Sequence, residues 1–103
     1  MILERAIHKV KPGKWDDLMA LETQLDALQA RVGMPPRKRY RLMFGGGSEY
    51  TEVIEREWES LAAREAFWAK LPTDATAVAE GSALMAQVWP LIESTQREVY
   101  EVL

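Results

Sequence analysis

Apolar positions along this chain change period several times, and those changes divide it into elements. Residues 2–10 come close to alternation, with Leu3 and Ile7 on one face and Glu4, Ala6, His8 and Val10 on the other, which predicts a strand. Lys11-Pro12-Gly13-Lys14 ends it, because proline cannot continue a central ladder. From about Trp15 to Val32 the residues Leu18, Leu21, Leu25, Leu28 and Val32 recur at helical spacing. Gly33 stands where a residue in the left-handed conformation closes such a helix, and Pro35-Pro36 prevents its resumption.

Alternation returns from Arg37 to Phe44, where Tyr40, Leu42 and Phe44 oppose Arg39, Arg41 and Met43. This predicts a second strand, then a hairpin turn over Gly45-Gly46-Gly47-Ser48-Glu49 whose glycines are expected to supply positive φ angles. Thr51 to Trp58 reads as the third strand. Ser60 is placed to cap a helix carrying Leu61, Phe67, Trp68 and Leu71, which Pro72 stops. Asp74 is placed to cap a further helix with Val78, Leu84, Met85 and Val88, ended by Pro90. Thr95 to Leu103 reads as a closing strand.

This order is the split βαβ arrangement, so the expected fold is α+β: a ferredoxin-like βαββαβ sandwich with a four-stranded antiparallel sheet and helices on one face. The other face must meet solvent, a ligand or a partner, most economically a second copy of the chain.

Length and composition narrow the picture further. A chain of 103 residues is expected to form one domain over residues 1–103. Its hydrophobic fraction of 48% and charged fraction of 28% suit a globular protein rather than a disordered one. A net charge of −3 provides no attraction toward nucleic acid or an anionic membrane, so neither is expected as a partner. Cysteine is absent, which excludes disulfides and thiolate chemistry. No apolar run approaches a bilayer span, and the opening Met1-Ile2-Leu3-Glu4-Arg5 does not read as a secretion signal, so a cytoplasmic location is expected. Four tryptophans are many for this length, and most are expected in a core or an interface.

Three segments carry a family resemblance: the strand ending in Val10-Lys11-Pro12-Gly13-Lys14, the junction Gly33-Met34-Pro35-Pro36-Arg37, and Trp58-Glu59-Ser60-Leu61-Ala62-Ala63-Arg64-Glu65. Together, over nearly the whole chain, they resemble NIPSNAP-type proteins of the dimeric α/β-barrel superfamily. The resemblance implies a homodimer whose two sheets pack face to face around a cavity. Members of that family mostly have no assigned chemistry, while relatives across the superfamily include cofactor-independent monooxygenases and haem-degrading enzymes. In this chain Glu4 falls where the family usually has an acidic residue, and Trp58 keeps an aromatic position. His8 stands where many members have tyrosine, and Arg56 where an aromatic is common.

Among candidate chemistry, His8 is the only histidine and is expected on the open sheet face as a general base toward a small acid or phenol. The plainer alternative is an imidazole packed at the dimer interface. Haem ligation is the other use of such a histidine, but no cofactor is expected. Glu4, Arg56 and Trp58, with Tyr40 and Tyr100, are the candidate ligand-binding residues. Arg56 would pair with Glu4 across the strands or hold a ligand carboxylate, and Trp58 would offer a ring for stacking. Trp58, Tyr40, Phe44 and Tyr100 are equally candidates for the interface. Glu55, Glu57 and Glu59 share a face and can bind a cation, but basic residues on neighbouring strands make cross-strand ion pairs the simpler reading, and no metal site is expected. Arg37-Lys38-Arg39-Tyr40-Arg41 reads as an edge strand protected by charge rather than a nucleic-acid surface.

The function read from these residues is small-molecule binding in a cavity between the sheets of a homodimer. One alternative is a cofactor-independent enzyme of monooxygenase or isomerase type. The other is a structural or stress-related dimer whose cavity is closed.

Overall fold

Strand β1 (Ile2–Val10) lies inside the sheet and pairs antiparallel on both sides, with β3 (Thr51–Trp58) and with β4 (Ile92–Glu101). Strand β2 (Arg37–Arg41) adds to the far side of β3, giving the order β2-β3-β1-β4. This architecture is seen in a computed structural model that describes residues 1–47 and 49–103. Helices α1 (Trp15–Arg31), α2 (Leu61–Lys70) and α3 (Ala75–Val88) cover one face of the sheet, completing a ferredoxin-like sandwich. Both helices expected after β3, one capped by Ser60 and one by Asp74, form between β3 and β4, separated by a 3₁₀ turn at Leu71–Thr73 that contains Pro72.

Local chemistry accounts for the boundaries. Gly33 takes φ 79°, and the amides of Gly33 and Met34 return to the carbonyls of Ala30 (3.2 Å) and Gln29 (3.0 Å), closing α1 in a Schellman turn. Ser60 Oγ accepts from the Ala63 amide at 3.0 Å, and Asp74 Oδ1 accepts from the Ala77 amide at 3.0 Å, so α2 and α3 both carry N-caps.

Strand β2 is shorter than the alternation predicts. It stops at Arg41, after which the Leu42 amide still reaches Thr51 O (3.0 Å) and Phe44 swings into solvent. Residues 42–50 form a longer connection than a tight two-residue turn, and of Gly45, Gly46 and Gly47 only Gly45 has positive φ (142°). Ser48 of the expected turn lies outside the described residues. Strand β4 starts at Ile92 rather than Thr95, because the 3₁₀ turn Trp89–Leu91 around Pro90 delivers the chain directly opposite Val10.

The core joins Val10 and Ile92 of the sheet to Leu18, Leu25 and Leu28 of α1 and Ala77, Leu84 and Val88 of α3. Burying each leucine or valine contributes about 1.5–3 kcal/mol, which fastens both long helices to the sheet. The parity of β1 follows from this: Val10 is in the core, so Ala6, His8 and Glu4 also lie under the helices, and Arg5 and Ile7 turn to the open face. Among the described residues no helix is long and apolar enough to cross a membrane.

Candidate functional site

Between the covered face of the sheet and the helices lies a cavity of about 440 Å³. Its floor includes Glu4, Ala6, His8, Ile54, Arg56 and Arg97, and its roof includes Leu25, Leu28, Phe67, Met85 and Trp89. Small residues on both walls, Ala6 below and Ala77 and Gly81 above, leave the space that larger side chains would fill. A Cβ at Gly81 would meet only Leu28 Cδ2, at 3.6 Å.

His8 is therefore not on the open face, as expected, but beneath the helices. The reason is the parity set by Val10. Antiparallel pairing puts it opposite Glu52, and its Nδ1 lies 3.2 Å from Glu52 Oε1 with both side chains buried. A carboxylate oxygen accepts, so Nδ1–H is the donor, and in the neutral ring the lone pair then falls on Nε2. Neither His8 Nε2 nor Glu52 Oε2 has a hydrogen-bond partner among the described residues. The imidazole edge meets the Trp89 ring at a centroid distance of 6.5 Å.

Behind this pair runs a network of ions. Arg37 bonds to both Glu22 and Asp26, and Arg39 reaches Asp26 at 3.1 Å and Glu52 at 4.0 Å. Burial pushes the Glu22 carboxyl above its usual range, against the pull of Arg37. Ligand atoms of His8, Glu22 and Glu52 lie within 4.8 Å of one another, and their donor types suit a divalent cation. Arg37 is bonded to Glu22, however, and the Arg39 guanidinium is 4.0 Å from Glu52, so the protein's own cations already offset the carboxylate charges of the cluster. The basic run of β2 is thus in part an ion-pair ladder to α1, with β2 also the edge strand that was expected.

At the other end of the cavity, Glu4 and Arg56 face each other as strand partners but do not pair through their side chains. Glu4 instead accepts from Trp58 Nε1 at 3.3 Å and from Arg64 Nη2 of α2 at 2.9 Å. Burial pushes the Glu4 carboxyl up, but these bonds outweigh it and hold the group below its ordinary value. Arg56 turns to neutral oxygens, with Nε donating to Pro35 O at 2.8 Å and Nη2 to Gln29 Oε1 at 2.5 Å. Burial, joined by the nearby Arg37 charge, lowers its pKa to about 10. The Trp58 ring packs on Phe67 at 5.6 Å between centroids and is almost wholly buried within the chain.

Of the candidate residues, the fold thus brings His8, Glu4, Arg56 and Trp58 to one side of the sheet. Tyr40 and Tyr100 lie on the other, where Tyr100 receives the Arg5 guanidinium at 5.3 Å and Arg5 also pairs with Glu55 at 2.6 Å. That Arg5–Glu55 contact is a cross-strand ion pair of the kind expected. A sheet cavity between two copies would border these tyrosines, whereas the cavity built within one chain does not. Sequence reasoning passed over Glu52, Glu22, Arg64 and Arg97. Glu22 had a legible signal: it is four residues after Leu18 and three before Leu25, an acid inside the apolar stripe of α1. Glu52 shares the parity of Ile54 and Arg56, but only the register shows that it meets His8.

No family model matches the chain, and no curated protein does. Solved structures do share its fold. A NIPSNAP family protein from Agrobacterium tumefaciens aligns over 99% of this chain and 85% of its own, with a TM-score of 0.78 and 21% identity. A NIPSNAP domain protein from Burkholderia xenovorans aligns over 100% and 95%, with a TM-score of 0.73 and 13% identity. SnoaB from Streptomyces nogalater, a cofactor-independent oxygenase, aligns over 98% and 91%, with a TM-score of 0.65 and 15% identity. The architecture is therefore that of NIPSNAP proteins and of oxygenases of this fold, and at such identities the likeness is one of fold.

Proposed function

We propose that this protein binds a small molecule in the cavity between its sheet and its helices, and that it does so as a homodimer joined through the open sheet faces. The observation that carries the binding reading is a space of about 440 Å³ lined by His8, whose buried Nε2 has no hydrogen-bond partner among the described residues. That volume falls within the range of roughly 300–1,000 Å³ common for ligand sites, and its mainly apolar lining with a few polar groups is typical of them. A buried nitrogen without a partner costs stability unless something in the cavity meets it. In support of the dimer, the open face carries Ile7, Val53, Tyr40 and Tyr100 with no helix over them.

The test is native mass spectrometry of the freshly purified protein beside its Gly81→Leu variant, which fills the cavity from α3. A dimer carrying a non-covalent adduct that Gly81→Leu excludes is the expected result. An adduct retained by Gly81→Leu, or binding that never occurs, overturns the cavity reading, and a monomer overturns the dimer.

A second reading, catalysis, has its own observation in the Glu52–His8 pair. Glu52 holds Nδ1–H, which leaves Nε2 as a general base for a substrate proton. SnoaB, of the same fold, is a cofactor-independent oxygenase. Turnover abolished by His8→Ala while ligand binding persists is the result this reading requires.

A further inference from the structure

We propose that the ligand of the cavity is the anion of a medium-length amphipathic carboxylic acid, its carboxylate held by Arg97 and Arg56 and its apolar body laid along Leu25, Leu28 and Met85 toward His8. This rests on the reading that the sheet–helix cavity holds a ligand, and adds the chemical class of that ligand.

The charges around the cavity lead to it. Glu4 is engaged by Arg64, and Glu22 by Arg37. Arg56 has no carboxylate bonded to it among the described residues: Nε goes to a main-chain carbonyl and Nη2 to an amide oxygen. A guanidinium only 8% exposed and unmatched by an anion is costly to bury, as its lowered pKa reflects. Arg97 projects from β4 opposite Ala6, lines the same cavity, and enters no ion pair among the described residues. Two positive groups thus border one apolar space with no side-chain ion pair among the described residues; the Glu4 carboxylate on the same floor feels both charges but gives its bonds to Arg64 and Trp58.

Strand register sets the length of the ligand. Arg56 is level with Glu4, Arg97 with Ala6, and Glu52 with His8. Successive residues on one face are about 7 Å apart, so His8 lies about 7 Å along the sheet from the Arg97 level and about 13 Å from that of Arg56. A headgroup between the two arginines leaves an acyl chain or an aryl-alkanoate body to reach His8 across the leucines. A carboxylate suits the site better than a phosphate. Arg56 has committed Nε–H and one Nη2–H, so its remaining bidentate edge, Nη1 with Nη2, matches the two oxygens of a carboxylate, and the Glu4 carboxylate on the same floor repels a monoanion less than a phosphate dianion.

Isothermal titration calorimetry with decanoate, decanol and decyl phosphate tests this, using the wild-type protein and Arg97→Gln. Arg97 is exposed, so its replacement leaves the fold intact, and a melting curve checks that. Decanoate is expected to bind at a single site per chain, about tenfold or more tighter than decanol, and Arg97→Gln to erase that preference. Equal affinity for decanol, tighter binding of decyl phosphate, or a preference that survives in Arg97→Gln would overturn the carboxylate assignment and leave the ligand-cavity reading in place. No binding of decanoate also overturns it, and the adduct test with Gly81→Leu then judges the cavity separately.

Discussion

His8 meets Glu52 across the β1–β3 pair at 3.2 Å through Nδ1, while its Nε2 has no hydrogen-bond partner among the described residues. The pairing orients the ring, and a carboxylate acceptor at Nδ1 calls for the neutral tautomer with its proton there. Replacing Glu52 by alanine removes the acceptor of His8 Nδ1 and a carboxylate near Arg39, leaving buried polar groups unmatched. Such a loss costs about 1–3 kcal/mol, measurable by urea denaturation. Nitrogen-15 NMR of the wild-type ring is expected to report a proton on Nδ1, and a ring protonated on Nε2 instead would contradict the orientation argued for it.

Glu4 gives the acid stability a definite sign. Its folded-state pKa lies below the ordinary carboxylate value, because bonds from Arg64 and Trp58 outweigh burial. The stabilisation is therefore present above the unfolded-state pKa, near 4.5, and is lost as pH falls through the lower folded-state value. Glu4→Gln is expected to melt below the wild type at pH 7, with the gap closing toward pH 3, both values being chosen to bracket the usual carboxylate range. A gap of constant size across that range would mean that the charge of Glu4 is not what stabilises.

Trp58 is a core residue of one chain, packed on Phe67 and donating to Glu4. Trp58→Ala should cost about 3–5 kcal/mol, as large aromatic truncations do. Chemical denaturation at several protein concentrations separates this from an interface effect. A loss that is independent of concentration is expected, and one that disappears at high concentration would return Trp58 to the interface.

The proposed dimer can be broken without touching the cavity. Ile7 and Val53 are strand partners on the open face, so Ile7→Lys places a charge in the middle of any sheet-to-sheet contact. Sedimentation of this variant should give a monomer with an unchanged far-ultraviolet spectrum. A dimer that withstands the substitution would place the contact elsewhere on the chain.

Gly33 tests the end of α1. At φ 79° a side chain is strained even though a Cβ meets no atom within 4 Å, so Gly33→Ala should lower stability by about 1–2 kcal/mol. Equal stability in the two proteins would show that the Schellman turn relaxes to accept alanine.

How far this protein was legible before folding is clearest on β1 and α1. Period and punctuation determined the elements: Leu18 to Leu28 at helical spacing, Gly33 as a helix stop, Ser60 and Asp74 as caps, and the alternation over residues 2–10. These are local properties, set by backbone sterics and hydrogen bonds within a few residues, so the α+β order followed from them. Alternation also divided β1 into two sets of residues. It did not tell which set goes under the helices, because Leu3 and Ile7 look more like a core than Glu4 and His8 do. Tertiary packing decided that when Val10 and Ile92 joined the helices, and the charged set was buried with them. The site was likewise a matter of register. Glu52 meets His8 and Arg64 reaches Glu4 across separations of 44 and 60 residues, distances over which no pattern along the chain has any range. Arg56 shows the same physics in reverse: its strand partner is Glu4, but its hydrogen bonds go to Gln29 and Pro35, which only the docking of α1 on the sheet brings within reach.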